Sequence, residues 1–206
     1  RSYLADGAWP FAVTAEDEAG NESDPEDAPQ VFGGRETGFH DVPATHFASA
    51  AVATLRERGV VAGRDGAFAP DAFVTRAEFV KMLVGVRGVS VDATTTSFRD
   101  VTSRSSFVGY IGAAIGQGWA RGEGAYFYPN RYVTRMEAAR MIVRAAGLPS
   151  AGDGGFTDVT AGEEMGFATA LKTAGIASGQ NGLFNPNRPL TRAEAAKMLV
   201  GVLKSA

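Results

Sequence analysis

Apolar residues crowd into stretches that read as helices buried on several sides. Phe79, Val80, Leu83, Val84 and Val86 mark one, and Ala195, Met198, Leu199, Val200 and Leu203 mark the last. Three such stretches are headed by the same short pattern: Thr75-Arg76-Ala77-Glu78, Thr134-Arg135-Met136-Glu137 and Thr191-Arg192-Ala193-Glu194. A Thr followed three residues later by Glu predicts a capping box. In it the Thr hydroxyl accepts from the Glu backbone N–H while the Glu carboxylate accepts from the Thr N–H. Before each of these helices lies a second, Ala-rich amphipathic segment ending in Gly59, Gly118 or Gly175, the residue expected at a left-handed C-terminal cap. In the first copy Phe47, Ala51, Val52 and Leu55 fall at helical spacing, so Phe47, like Phe167 in the third copy, is expected to pack in the core.

The two helices and the loop between them form a repeat. Each copy opens on Phe-x-Asp-Val (Phe39 to Val42, Phe98 to Val101, Phe156 to Val159), and a short apolar link leads to a second glycine, Gly63, Gly122 or Gly179. From that glycine to Phe68, Phe127 or Phe184 is always five residues, and from the Phe to the capping Thr always seven. An unconstrained loop has no need of such regularity. Asp65-Gly66 and Asn181-Gly182 suit tight turns, whereas Glu123-Gly124 is a weaker turn former.

One repeat cannot bury its own apolar face, so the fold expected is mainly α. Three helix-loop-helix repeats (about 39–97, 98–155 and 156–206) surround a central three-helix bundle with pseudo-threefold symmetry. Residues 1–23 read as a short β segment, since Phe11, Val13 and Ala15 alternate with Ala12, Thr14 and Glu16. Residues 24–38, rich in Pro, Gly and acids, read as a linker. The chain starts on Arg rather than Met and reads as a fragment of a longer one.

Composition removes several functions. A net charge of -3 without a basic block argues against nucleic acid, and no apolar run approaches the roughly 18 residues of a membrane span. There is no Cys, and His40 and His46 do not make a helical ligand pair, so neither a metal nor another cofactor is expected. A calcium loop fails on ligand count, because Arg64 to Asp71 holds only two carboxylates. A glycan-active enzyme would need paired carboxylates, but Glu78, Glu137 and Glu194 belong to helix caps, and the adjacent Glu163 and Glu164 read as a solvated helix start.

The Arg of each capping pattern is the candidate chemistry. At the first helical position the macrodipole disfavours a cation, and here one recurs three times. Two readings stand. One is a salt bridge to a neighbouring repeat, through an acid such as Asp41, Asp100 or Asp158. The other is anion binding, with free N–H groups of the helix start joined by a guanidinium fork matched to a carboxylate or phosphate.

With Phe-x-Asp-Val, the Gly-x-x-x-Gly link, the Phe-x-Pro loop and Thr-Arg-x-Glu in one order three times, residues 39–206 resemble the S-layer homology (SLH) domain. The stretch from Phe11 to Ser23 is similar to the closing strands of bacterial fibronectin type III or immunoglobulin-like domains. The SLH resemblance implies a non-catalytic, extracellular module that tethers proteins to the bacterial cell wall. Its usual ligand is a secondary cell-wall polysaccharide carrying a pyruvate ketal; peptidoglycan is the alternative, and self-association stays open. It implies further that Arg76, Arg135 and Arg192 meet the ketal carboxylate in grooves between repeats. Ala62-Gly63, Arg121-Gly122 and Ser178-Gly179 would line the same grooves, with Trp119 as an aromatic wall or else a core residue. Met136 and the bulky Tyr126, Phe127 and Tyr128 depart from the pattern and are expected to narrow or repack the middle groove.

Overall fold

A computed structural model of the protein describes residues 36–204, so the expected β segment over 1–23 and most of the linker lie outside the described residues. Among these residues the fold is mainly α: α1 (Ser49–Glu57), α2 (Arg76–Arg87), α3 (Val108–Gly116), α4 (Arg135–Ala146), α5 (Glu163–Thr173) and α6 (Arg192–Lys204). They are joined by loops whose only extended pairings are isolated β-bridges. The capping boxes form as the spacing predicts. Thr75 Oγ accepts from Glu78 N at 3.3 Å and Glu78 returns to Thr75 N at 2.9 Å, and Thr134–Glu137 and Thr191–Glu194 repeat the exchange. Gly59, Gly118 and Gly175 follow their helices in the left-handed region (φ 68°, 72° and 66°).

The Asp of Phe-x-Asp-Val explains the fixed loop. Asp41 accepts from the N–H groups of Phe68 and Ala69 at 2.8 and 2.7 Å, Asp100 from those of Phe127 and Tyr128, and Asp158 from those of Phe184 and Asn185. The second residue of each pair is held at positive φ, 58° at Ala69, 59° at Tyr128 and 58° at Asn185, although none is glycine. The opening Phe then packs on the loop Phe, ring centroids 5.6 Å apart for Phe39–Phe68 and Phe98–Phe127 and 5.4 Å for Phe156–Phe184. The second glycine sits against the opening Phe and a loop carbonyl. A Cβ at Gly122 would stand 2.1 Å from Phe98 and 2.7 Å from the Tyr126 carbonyl, so its side is occupied by protein. The three Asp residues are therefore loop clamps, and none pairs with the capping-box Arg.

The repeats close on one another in a cycle. The capped helices α2, α4 and α6 pack pairwise, while α3 lies against α2, α5 against α4 and α1 against α6. At their shared end Val74 N donates to Leu190 O, Leu190 N to Val133 O and Val133 N to Val74 O, at 3.0, 3.1 and 2.9 Å. Each capped helix also has its first two N–H groups taken by the loop of another repeat. Arg76 and Ala77 donate to Arg131 O and Pro129 O, Arg135 and Met136 to Arg188 O and Pro186 O, and Arg192 and Ala193 to Ala72 O and Pro70 O. With the third N–H held by the Thr hydroxyl, the orphan donors of a helix start are satisfied. The free amides expected at these helix starts are thus absent, which leaves anion recognition to side chains.

Candidate functional site: the grooves between repeats

Each capping-box Arg reaches across to the loop of another repeat and stacks over its buried Phe. Arg76 lies over Phe127, Arg135 over Phe184 and Arg192 over Phe68, with guanidinium carbons 4.9, 4.9 and 4.7 Å from the ring centroids. Beyond that shared placement the three differ. Arg76 is 4% exposed. Its Nε donates to Phe127 O at 3.1 Å, Nη1 to Glu137 Oε1 at 2.9 Å and Nη2 to Arg121 O at 3.0 Å. Arg192 makes one such bond, Nε to Phe68 O at 2.8 Å. The Arg135 guanidinium has no hydrogen-bond partner among the described residues.

Two of the grooves gather the residues singled out in the sequence. Arg135, Ser178 and Gly179 line a cavity of about 280 Å³ together with Phe47, Glu194 and Lys197. Arg76, Arg121 and Gly122 line one of about 310 Å³ with Glu137, Arg140 and Arg144. In the third place Ala62 and Gly63 line a cavity of about 290 Å³ with Phe39 and Arg56, and Arg192 is not among its walls.

Of the aromatic positions, Trp119 takes the second of its two readings, as a core residue, and Phe47 alone departs from expectation. Trp119 is only 7% exposed, belongs to the core and lines none of the three cavities. Phe47, expected in the core, is 60% exposed and forms a wall of the Arg135 groove. Helical spacing misplaced it because α1 begins only at Ser49, so Phe47 precedes the helix and turns outward. Phe167 is buried, as expected. Tyr126 and Tyr128 stack on each other at the surface, outside the Arg76 cavity, and Met136 is buried, so these bulky residues do not narrow that groove.

Charge separates the two best-formed grooves further. Beside Arg76, Arg144 pairs with Glu163 at 3.7 Å and Arg140 with Glu164, so that groove is laced by its own ion pairs. Burial lowers the pKa of Arg76, opposed by Glu137, and lowers that of Arg135, opposed by Glu194; both stay charged. In the Arg135 groove Glu194 is gripped by Arg188, whose Nη1 and Nη2 reach its two oxygens at 3.0 and 2.5 Å. Burial would raise the Glu194 pKa, but the Arg188 bonds and the Thr191 N–H outweigh it and keep the carboxylate ionised. Arg135 and Lys197 then stand as cations over a cavity with one aromatic wall, Phe47. Such a groove suits a carboxylate attached to a ring with an apolar face.

Comparison with known proteins places the repeats. The S-layer homology domain matches three segments, residues 38–80, 97–139 and 155–196. The chain is 33% identical over 170 residues to an S-layer protein of Bacillus licheniformis, covering 78% of this chain and 19% of that protein. It is 32% identical over 170 residues to S-layer protein EA1 of Bacillus anthracis, again covering 78% of this chain and 19% of that protein. An amylopullulanase of Thermoanaerobacterium thermosulfurigenes is 29% identical over 176 residues, 81% of this chain and 9% of the enzyme. The chain thus spans about a fifth or less of the length of these relatives.

Proposed function

The chain belongs to the S-layer homology family, a cell-surface module for cell-wall anchoring, and we propose that it anchors by binding a pyruvylated secondary cell-wall polysaccharide without catalysing any reaction on it. The groove of Arg135 is the principal site. What carries this reading is the contrast between two arginines at equivalent positions. The Arg76 donors are engaged by protein in a buried setting, whereas the Arg135 guanidinium faces a cavity with its donors unengaged by the described residues. A ketal carboxylate would take the Arg135 fork, with Lys197 adding charge and Phe47 lying against the sugar ring. Arg192, with most of its N–H groups also unengaged by described residues, is the second contender, and Arg76 serves as a strut between repeats.

The test is calorimetry with a pyruvylated mannosamine derivative and its unpyruvylated counterpart. The wild type should bind only the former measurably. Arg135→Ala should weaken binding by about one to two decades, the equivalent of one charge-assisted hydrogen bond. Arg135→Lys should recover only part, because Lys keeps the charge and loses the planar fork. Equal affinity for the two sugars would sink the carboxylate assignment and favour peptidoglycan, to be tested on walls stripped of polysaccharide.

A further inference from the structure

Arg135 and Glu194 line the same cavity, and a free carboxylate there would be the natural partner of the guanidinium. In the equivalent place next to Arg76 that capture has happened. Glu137 Oε1 accepts from Arg76 at 2.9 Å while also accepting from Arg131 at 2.5 Å. The difference lies in a third arginine, one that no motif marks, at Arg131 in the second repeat and Arg188 in the third. Arg131 uses a single nitrogen, Nη2, for both Glu137 and Glu123, the latter at 2.8 Å, and so makes only one contact to the capping-box Glu. Arg188 meets no such competitor, because the residue equivalent to Glu123 is the uncharged Gln180. It closes on Glu194 with two nitrogens on two oxygens.

We propose that Arg188 is a positioning residue: by holding Glu194 in a two-point grip it stops that carboxylate from capturing Arg135, and so keeps the groove between the second and third repeats open to an anionic ligand. Arg188 itself lines none of these three cavities and acts through Glu194. Both carboxylates are held at Oε2 by a capping N–H, but Arg188 also spans both oxygens of Glu194 and fixes its plane, whereas Arg131 meets Glu137 only at Oε1, the oxygen that Arg76 shares. Anion specificity in this groove therefore depends on an ion pair between a residue of its wall, Glu194, and an arginine that does not line it. The inference rests on the wall-binding reading for its ligand but not for its mechanism.

Accessibility of Arg135 can be read without any sugar, by modification with phenylglyoxal followed by peptide mapping on the intact chain. In the wild type Arg135 should react about tenfold faster than Arg76, the difference expected from engaged charge-assisted bonds. Arg188→Ala should slow Arg135 about tenfold as Glu194 turns to it. Adding Glu194→Gln should restore the rate, since Gln still serves a capping box but carries no charge. A merely structural role for Arg188 would not be rescued in this way. Arg188→Lys, which keeps the charge and loses the fork, should fall between and guards against misfolding of the Ala variant. An unchanged Arg135 rate in Arg188→Ala, or a loss that Glu194→Gln leaves unrepaired, overturns the proposal. Calorimetry with the pyruvylated sugar on the same series separates the two claims. If modification follows the expected order and sugar binding does not, the ligand assignment falls while the positioning role stands.

Discussion

Arg76 and Arg135 occupy the same position of the same motif, yet substitution should separate them on stability as well as on binding. Removing the Arg76 side chain would leave Glu137 and two carbonyl groups short of a partner at a nearly buried site. Arg76→Ala should therefore cost on the order of 3 kcal/mol, about 1 kcal/mol for each of the hydrogen bonds lost. Arg135→Ala removes no hydrogen bond to a described residue and should stay within about 1 kcal/mol. Urea unfolding of the two variants checks this, and equal midpoints would show that the buried contacts of Arg76 contribute nothing net. The three arginines were legible in the sequence, because a cation at a helix start is locally unfavourable and recurred three times. Their different fates were not. They depend on the residue three before each capping Thr, arginine at Arg131 and Arg188 but alanine at Ala72, and on the change from Glu123 in the second repeat to Gln180 in the third. Phe47 was misread for a related reason, since periodicity carries no mark of where the first helical residue falls.

At the scale of one element, the loop between the paired helices is set by a carboxylate gripping two successive N–H groups. Burial would raise the pKa of Asp41, but hydrogen bonds from the Phe68 and Ala69 N–H groups outweigh it and hold the group below its ordinary 3.8. A carboxyl whose folded pKa is depressed contributes stability that is full above the unfolded value and is lost as pH falls through the folded one. The chain should thus lose stability on acidification below about pH 4. Asp41→Asn should remove that part of the slope and should also cost about 1 to 3 kcal/mol at neutral pH, because an amide cannot accept with both of its atoms. Denaturant midpoints across pH 2.5 to 7 for both proteins are the measurement, and parallel curves would refute the role given to Asp41. The constancy of loop length announced such a constraint in the sequence. What it could not disclose was that the same loop turns its Pro129 and Arg131 carbonyls, and their equivalents, toward the helix of another repeat.

For the whole molecule, the cycle of contacts makes the third repeat necessary to the other two. Ending the chain at Leu148 would remove α5 from α4, and α6 from α1, α2 and α4 at once. Val74 N would lose Leu190 O, while Arg135 N and Met136 N would lose Arg188 O and Pro186 O, leaving the start of α4 with orphan donors beside an exposed apolar face. That dependence was foreseeable from the apolar pattern, since a helix buried on several sides needs neighbours. The closure of α1 onto α6 was not, because nothing in the pattern of α1 names its partner. Loss of apolar burial and loss of caps act in the same direction, so the shortened chain should lack a cooperative thermal transition and should bind a hydrophobic dye that the full chain does not. A shortened chain that stays monomeric and unfolds cooperatively would mean that each pair of repeats carries its own core, and that the ring of Val74, Leu190 and Val133 joins units already stable on their own.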